Sequence, residues 1–87
     1  MDFTQQLTNP TVQYDTFANA RYAFNNGGNA PRGRGWWVFE VKYNGNRTAT
    51  YRDGQFDTFT AAKRRALKWA RKNAPVDATF ATVSVCS

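Results

Sequence analysis

A chain of 87 residues, 41% hydrophobic and carrying seven Phe, four Tyr and three Trp, holds material for one small core and too little for two. It has no histidine and one cysteine, Cys86, which excludes an intramolecular disulfide, a Cys/His zinc site and any imidazole-based mechanism. Twelve Lys and Arg against six Asp and Glu give a net charge of +6, unevenly placed: residues 1–31 carry Asp2, Asp15 and Arg21, a net −1, and residues 32–87 carry eleven basic and four acidic side chains, a net +7.

Residues 1–31 read as a polar N-terminal segment, partly flexible, punctuated by Phe3, Leu7, Val12, Tyr14, Phe17, Tyr22 and Phe24. Two structures compete here. Asp15 can cap a short helix from Thr16 to Phe24, with Phe17, Ala20 and Phe24 at helical spacing and Asn25-Asn26-Gly27 as the stop. Alternatively, the β-branched and aromatic residues of Thr11 to Phe17 suit an extended segment added to a sheet edge. Asn25 to Gly35, with four glycines and a proline, reads as a flexible loop. It serves either as a plain linker or as an arm whose Arg32 and Arg34 reach phosphate.

Residues 32–87 are expected to form a ββαβ domain. Trp36 to Tyr43 alternates as a strand, and Asn44-Gly45 marks a hairpin. A three-residue loop, Tyr43-Asn44-Gly45, pairs Lys42 with Asn46, Trp37 with Tyr51 and Phe39 with Ala49. That register gathers Trp37, Phe39, Val41, Ala49 and Tyr51 on one apolar face, leaving Trp36, Val38, Glu40, Lys42, Thr48, Thr50 and Arg52 on the other. Asp53-Gly54 then signals a turn, after which Thr58 or Thr60 caps a helix that runs to about Asn73 and ends before Ala74-Pro75.

Around that helix Phe59, Ala62, Ala66, Leu67, Trp69, Ala70 and Ala74 share an arc of about 160°, the core face. Arg64, Arg65, Lys68, Arg71 and Lys72 share a separate arc of about 120°, and no acidic residue lies between Thr60 and Asn73. Like charges at i, i+3 and i, i+4 repel by a few tenths of a kcal/mol per pair, and nothing within the helix offsets them. The stripe is either a solvated face whose positive end suits the helix C-terminus or a surface for a polyanion. Thr79 to Cys86 reads as a last strand, with Val83 and Val85 on one side and Phe80 and Cys86 on the other. Cys86 reads as a small apolar residue rather than a nucleophile, having no base nearby to lower its pKa.

The expected fold is therefore α+β: a three-stranded, mainly antiparallel sheet packed on one amphipathic basic helix. In layout this order resembles the short podovirus inhibitors of bacterial RNA polymerase. The residues that carry the resemblance are the Trp-bearing first strand, Thr60-Ala61-Ala62 opening an Ala-rich helix with Trp69, and Ala74-Pro75 leading to Phe80, Val83, Val85 and Cys86. The resemblance covers about 50 residues and implies a noncatalytic phage protein of host takeover that docks on the polymerase and blocks promoter opening. The chain departs from that pattern in its basic helix and in having Ser84 and Cys86 where final-strand arginines are expected, so no functional residue is carried over. A second resemblance is to the arm-binding domains of tyrosine recombinases, with Trp36 to Thr50 as a DNA-reading hairpin and Phe56 to Lys72 as the supporting helix.

The preferred function is a noncatalytic module that binds nucleic acid through phosphate, using Arg32, Arg34, Arg64, Arg65, Lys68, Arg71 and Lys72, with Trp36 or Tyr43 available for stacking. The alternative is a modulator of host RNA polymerase, with Trp36, Val38, Arg47 and Arg52 as partner contacts. An enzyme is not expected, because Glu40, Asp53, Asp57 and Asp77 show no spacing that pairs them as acid and base or as metal ligands. No cofactor, metal or small-molecule substrate is implied. No apolar run reaches the roughly 18 to 20 residues of a membrane span, and no signal-peptide pattern opens the chain, so a cytoplasmic protein without a membrane partner is expected. For a phage-encoded protein that means the host cytoplasm.

Overall fold

The computed structural model describes residues 10–86. Six elements follow in order: strand β1 (Thr11–Tyr14), helix α1 (Phe17–Asn25), strands β2 (Arg34–Tyr43) and β3 (Arg47–Thr58), helix α2 (Phe59–Lys72) and strand β4 (Phe80–Val85). They build a four-stranded mixed sheet in the order β1-β4-β2-β3. The class is α+β, as expected, but the sheet gains a fourth strand: β1 pairs in parallel with β4, Thr11 against Phe80 through Tyr14 against Val83.

Both readings of the N-terminal region hold, on successive residues. Thr11–Tyr14 is an edge strand, and the chain then turns into α1, where the Asp15 carboxylate accepts the Phe17 N–H at 3.0 Å. The buried side of α1 is that of Ala18, with Tyr22 against Trp37. Phe17 and Phe24 face outward, 77% and 88% exposed. Because Val12, Tyr14 and Ala18 join the main core, that core crosses the expected boundary at residues 31/32. Phe3 and Leu7 lie outside the described residues.

The β2–β3 hairpin keeps the expected faces in a different register. Tyr43 pairs with Arg47, Val41 with Ala49 and Phe39 with Tyr51, so the loop is Asn44-Gly45-Asn46 and the pairing is displaced by two residues. The cause is the turn itself: Asn44 and Gly45 both have positive φ, as a primed turn requires, and the Asn46 N–H donates to the Tyr43 carbonyl. A displacement of two leaves each side chain on its own face of the sheet. Asn44 also accepts the Thr79 and Phe80 N–H groups, tying the hairpin tip to the start of β4.

Asp53-Gly54 does not end the strand. Trp36 pairs with Phe56 and Val38 with Arg52, so Asp53, Gly54 and Gln55 bulge opposite Trp37, with Gly54 at φ 75°, before β3 continues to Thr58. Glycine takes that φ without a Cβ penalty.

Since β3 and β4 both run antiparallel to β2, the chain must cross the sheet between them, and α2 makes that crossing over one face. Thr58 caps it, its hydroxyl accepting the Ala61 N–H, and Asn73 closes it by donating to the Trp69 carbonyl. Ala62, Ala66 and Ala70 have no exposed surface, and their small side chains let the helix lie close over Phe39, Val41 and Val83. The ring contacts run without a break through Tyr22, Trp37, Phe59, Phe39, Tyr51 and Trp69. No helix among the described residues is long and apolar enough to cross a membrane.

Candidate nucleic-acid interface

The five basic residues of the α2 stripe divide into two groups. Arg65 stands at the border of the core face, four residues before Trp69, and there it meets the β3 bulge. Its Nε donates to Asp53 Oδ1 at 2.8 Å and its Nη2 to Asp53 Oδ2 at 2.6 Å, a bidentate clasp, while the same Nη2 lies 3.0 Å from Asp57 Oδ2. Tyr51 adds its hydroxyl to Asp53 Oδ1 at 2.8 Å. Asp53 is buried, so this cluster is internal cement.

Its protonation chemistry agrees. The Arg65 guanidinium holds the Asp53 carboxyl below its ordinary range, and the Thr58 N–H, followed by Arg65, does the same for Asp57. Hydrogen bonding to Asp53 pushes Arg65 further up. Arg65 therefore leaves the set of cations free to meet a partner: two carboxylates of its own chain already hold it.

Arg64, Lys68, Arg71 and Lys72 are exposed, and among the described residues no carboxylate pairs with any of them. They occupy an arc of about 100° on the side of α2 away from the sheet. Lys63, beside them in sequence, turns elsewhere, its ammonium 4.8 Å from the Tyr14 ring centre. The stripe is thus a ridge of four charges rather than five.

Among the described residues no helix lies over the opposite side of the sheet. Arg34, Trp36, Val38, Glu40 and Lys42 of β2, Thr48, Thr50, Arg52 and Phe56 of β3, and Phe80, Thr82, Ser84 and Cys86 at β4 point that way. Trp36 is 70% exposed and meets Phe56, 49% exposed, edge to face with ring centres 5.9 Å apart. The Arg34 guanidinium lies 5.4 Å over the Phe56 ring and donates to the Phe56 carbonyl at 3.3 Å. Beside them opens a cleft of about 480 Å³ whose walls include Tyr22, Arg32, Arg34, Trp36, Trp37 and Cys86.

No family model matches this chain, and neither the curated proteins nor the solved structures contain a match. The residues themselves carry whatever functional argument there is.

The other sequence-derived candidates fall as follows. Arg32 and Arg52 are exposed and without a carboxylate partner among the described residues. Arg47 is engaged by Asp77 at 2.7 Å, which holds the Asp77 carboxyl down. Val38 is half-buried at the edge of the cleft. Tyr43 is not available for stacking: it is buried, and its hydroxyl donates to the Ala70 carbonyl at 2.8 Å under α2. Phe56 is the residue the sequence reading did not single out, because placing a turn at Asp53-Gly54 removed it from the sheet. The alternation from Arg52 to Phe56, two residues out of step across the bulge, was the only signal. Cys86 is exposed, and burial of its thiol raises its pKa, so the geometry offers no activated nucleophile. Among the described residues no group of three acidic or cysteine side chains could hold a metal ion.

Proposed function

We propose that this protein is a noncatalytic nucleic-acid-binding module whose α2 ridge, Arg64, Lys68, Arg71 and Lys72, contacts the phosphate backbone. The observation that carries this reading is the contrast between Arg65, neutralised by Asp53 and Asp57, and four neighbouring cations that no described carboxylate meets. Uncompensated like charge on one helix face destabilises the free protein slightly, and a polyanion relieves it while releasing condensed counterions. Contacts of this kind give affinity with little base selection. The test is binding of the protein and of the variant Arg64→Glu/Lys68→Glu/Arg71→Glu/Lys72→Glu to a labelled oligonucleotide at low salt. Tight binding by the first and its loss in the second is expected, and equal binding by both refutes the ridge.

A second reading, docking on a protein such as host RNA polymerase, draws support from a different observation: Phe17 and Phe24 stand exposed on one side of α1. A pull-down with purified polymerase after nuclease treatment separates the two, since a complex that survives nuclease and is lost in Phe17→Ser/Phe24→Ser favours the protein partner.

A further inference from the structure

We infer that the uncovered sheet face is a stacking site for unpaired nucleobases, built on Trp36, Phe56 and Arg34, so that the module takes single-stranded nucleic acid. This rests on the nucleic-acid reading above and names the form of nucleic acid. The two aromatics do little for the fold. Trp36 and Phe56 lie on the side of the sheet away from α2, hold each other edge to face, and are left 70% and 49% exposed, while the core is closed without them. A large aromatic left in water gains little from burial, but its open π-face is what a base stacks upon.

The charge around the pair selects the partner. Arg34 lies over the Phe56 ring with its position fixed by the bond to the Phe56 carbonyl, Arg32 borders the adjoining cleft, and Arg52 follows further along the same face. None of the three forms an ion pair with a described carboxylate, and the acidic side chains at this face are Glu40 and, toward the β1 edge, Asp15, which accepts the Ser84 hydroxyl and is already paired with Arg21. Cations beside exposed rings are the arrangement that tracks a phosphate chain while its bases stack. A duplex keeps its base faces stacked on one another and has none to offer Trp36, and phosphate alone gains nothing from the rings. The rings accept any base, so the site selects strandedness over sequence. Because the sheet lies between this face and the α2 ridge, the two surfaces are separate, and each can be removed without the other.

The experiment measures the affinity of the full chain for an oligothymidylate of about 16 nucleotides, the upper end of single-strand site sizes, and for a duplex of the same length. Trp36→Ala is expected to weaken the single strand by about 5- to 150-fold and to leave the duplex unchanged. Trp36→Phe, which keeps a ring, is expected to recover most of that loss. Oligothymidylate should also quench the tryptophan emission of the wild type, and the quench should vanish in Trp36→Phe, where only the packed Trp37 and Trp69 remain. Trp36 is exposed, so the fold is checked by far-UV circular dichroism and the remaining emission. Unchanged single-strand affinity in Trp36→Ala, with loss on reversal of the ridge charges, overturns this inference and leaves the phosphate reading standing. Failure of the wild type to bind either oligonucleotide at low salt overturns both, and retention of purified polymerase under those conditions assigns the face to protein.

Discussion

Arg64 and Arg65 are neighbours in the chain and belong to different parts of the molecule. Arg65 is clasped by Asp53 and Asp57 at the β3 bulge, its charge spent on joining helix to sheet. Arg64, with Lys68, Arg71 and Lys72, faces solvent and meets no described carboxylate. The difference shows that a run of basic residues is not one feature: carboxylates brought in from another strand decide which charges remain for a partner.

The comparison can be broken from either side. The largest effect is expected from reversing the four ridge charges, which should abolish phosphate-driven binding while lowering the thermal midpoint only slightly, because four glutamates repel one another as the cations did and two of them now stand in the last turn of α2, where positive charge is favoured. Removing the clasp should do the opposite. Asp53→Ala strips the buried acceptor from Arg65 and Tyr51 and should cost about 2 to 3 kcal/mol by urea denaturation, less than a fully enclosed pair because Arg65 is partly solvated. In the surviving folded protein Arg65 keeps Asp57 alone, so one negative charge has been removed beside the helix and the affinity for an oligonucleotide should rise modestly.

A smaller effect should appear with acid. The folded-state pKa values of Asp53 and Asp57 are depressed, so their contribution to stability is full above the unfolded carboxyl pKa, about 3.9, and is lost as pH falls through the lower folded values. Denaturation midpoints followed from pH 6 downward should therefore hold steady to about pH 4 and then drop, with much of the drop absent in Asp53→Ala. The smallest is the cap: Thr58→Ala removes the acceptor of the Ala61 N–H and should cost about 1 kcal/mol without altering which charges are free.

How far the sequence carried each of these regions follows from the range of the forces involved. The faces of β2 and of β3 as far as Arg52 were legible because alternation is local, and a register displaced by two residues left Phe39, Val41, Ala49 and Tyr51 pointing inward, whereas β4, with valines on one side and Phe80 and Cys86 on the other, left its inward face open. The core face of α2 was legible for the same reason, at period 3.6. What stayed open or escaped depends on pairing across the chain. β1 was one of two competing readings of its segment, and only its parallel partner β4, about 70 residues later, decides for the strand over Thr11–Tyr14. Asp53-Gly54 carries turn chemistry, yet pairing of Trp36 with Phe56 beyond it keeps β3 in the sheet and makes the same two residues a bulge. That one difference hid two features on which the proposal rests: it placed Asp53 against Arg65, and it returned Phe56 to Trp36. Arg65 did carry a local hint, since it stands one helical turn before Trp69 at the margin of the core face, where a solvated arginine has the least room.

If the α2 cations meet phosphate, the salt dependence of binding reports it. For a duplex oligonucleotide between 50 and 200 mM salt, the logarithm of the binding constant should fall linearly with that of salt, and the slope in the neutralised variant Lys68→Gln/Lys72→Gln, which keeps Arg64 and Arg71, should be shallower by about 1.8, the value for two lost phosphate contacts. The same slope in both proteins, or no binding by the wild type at the lowest salt, would contradict the account.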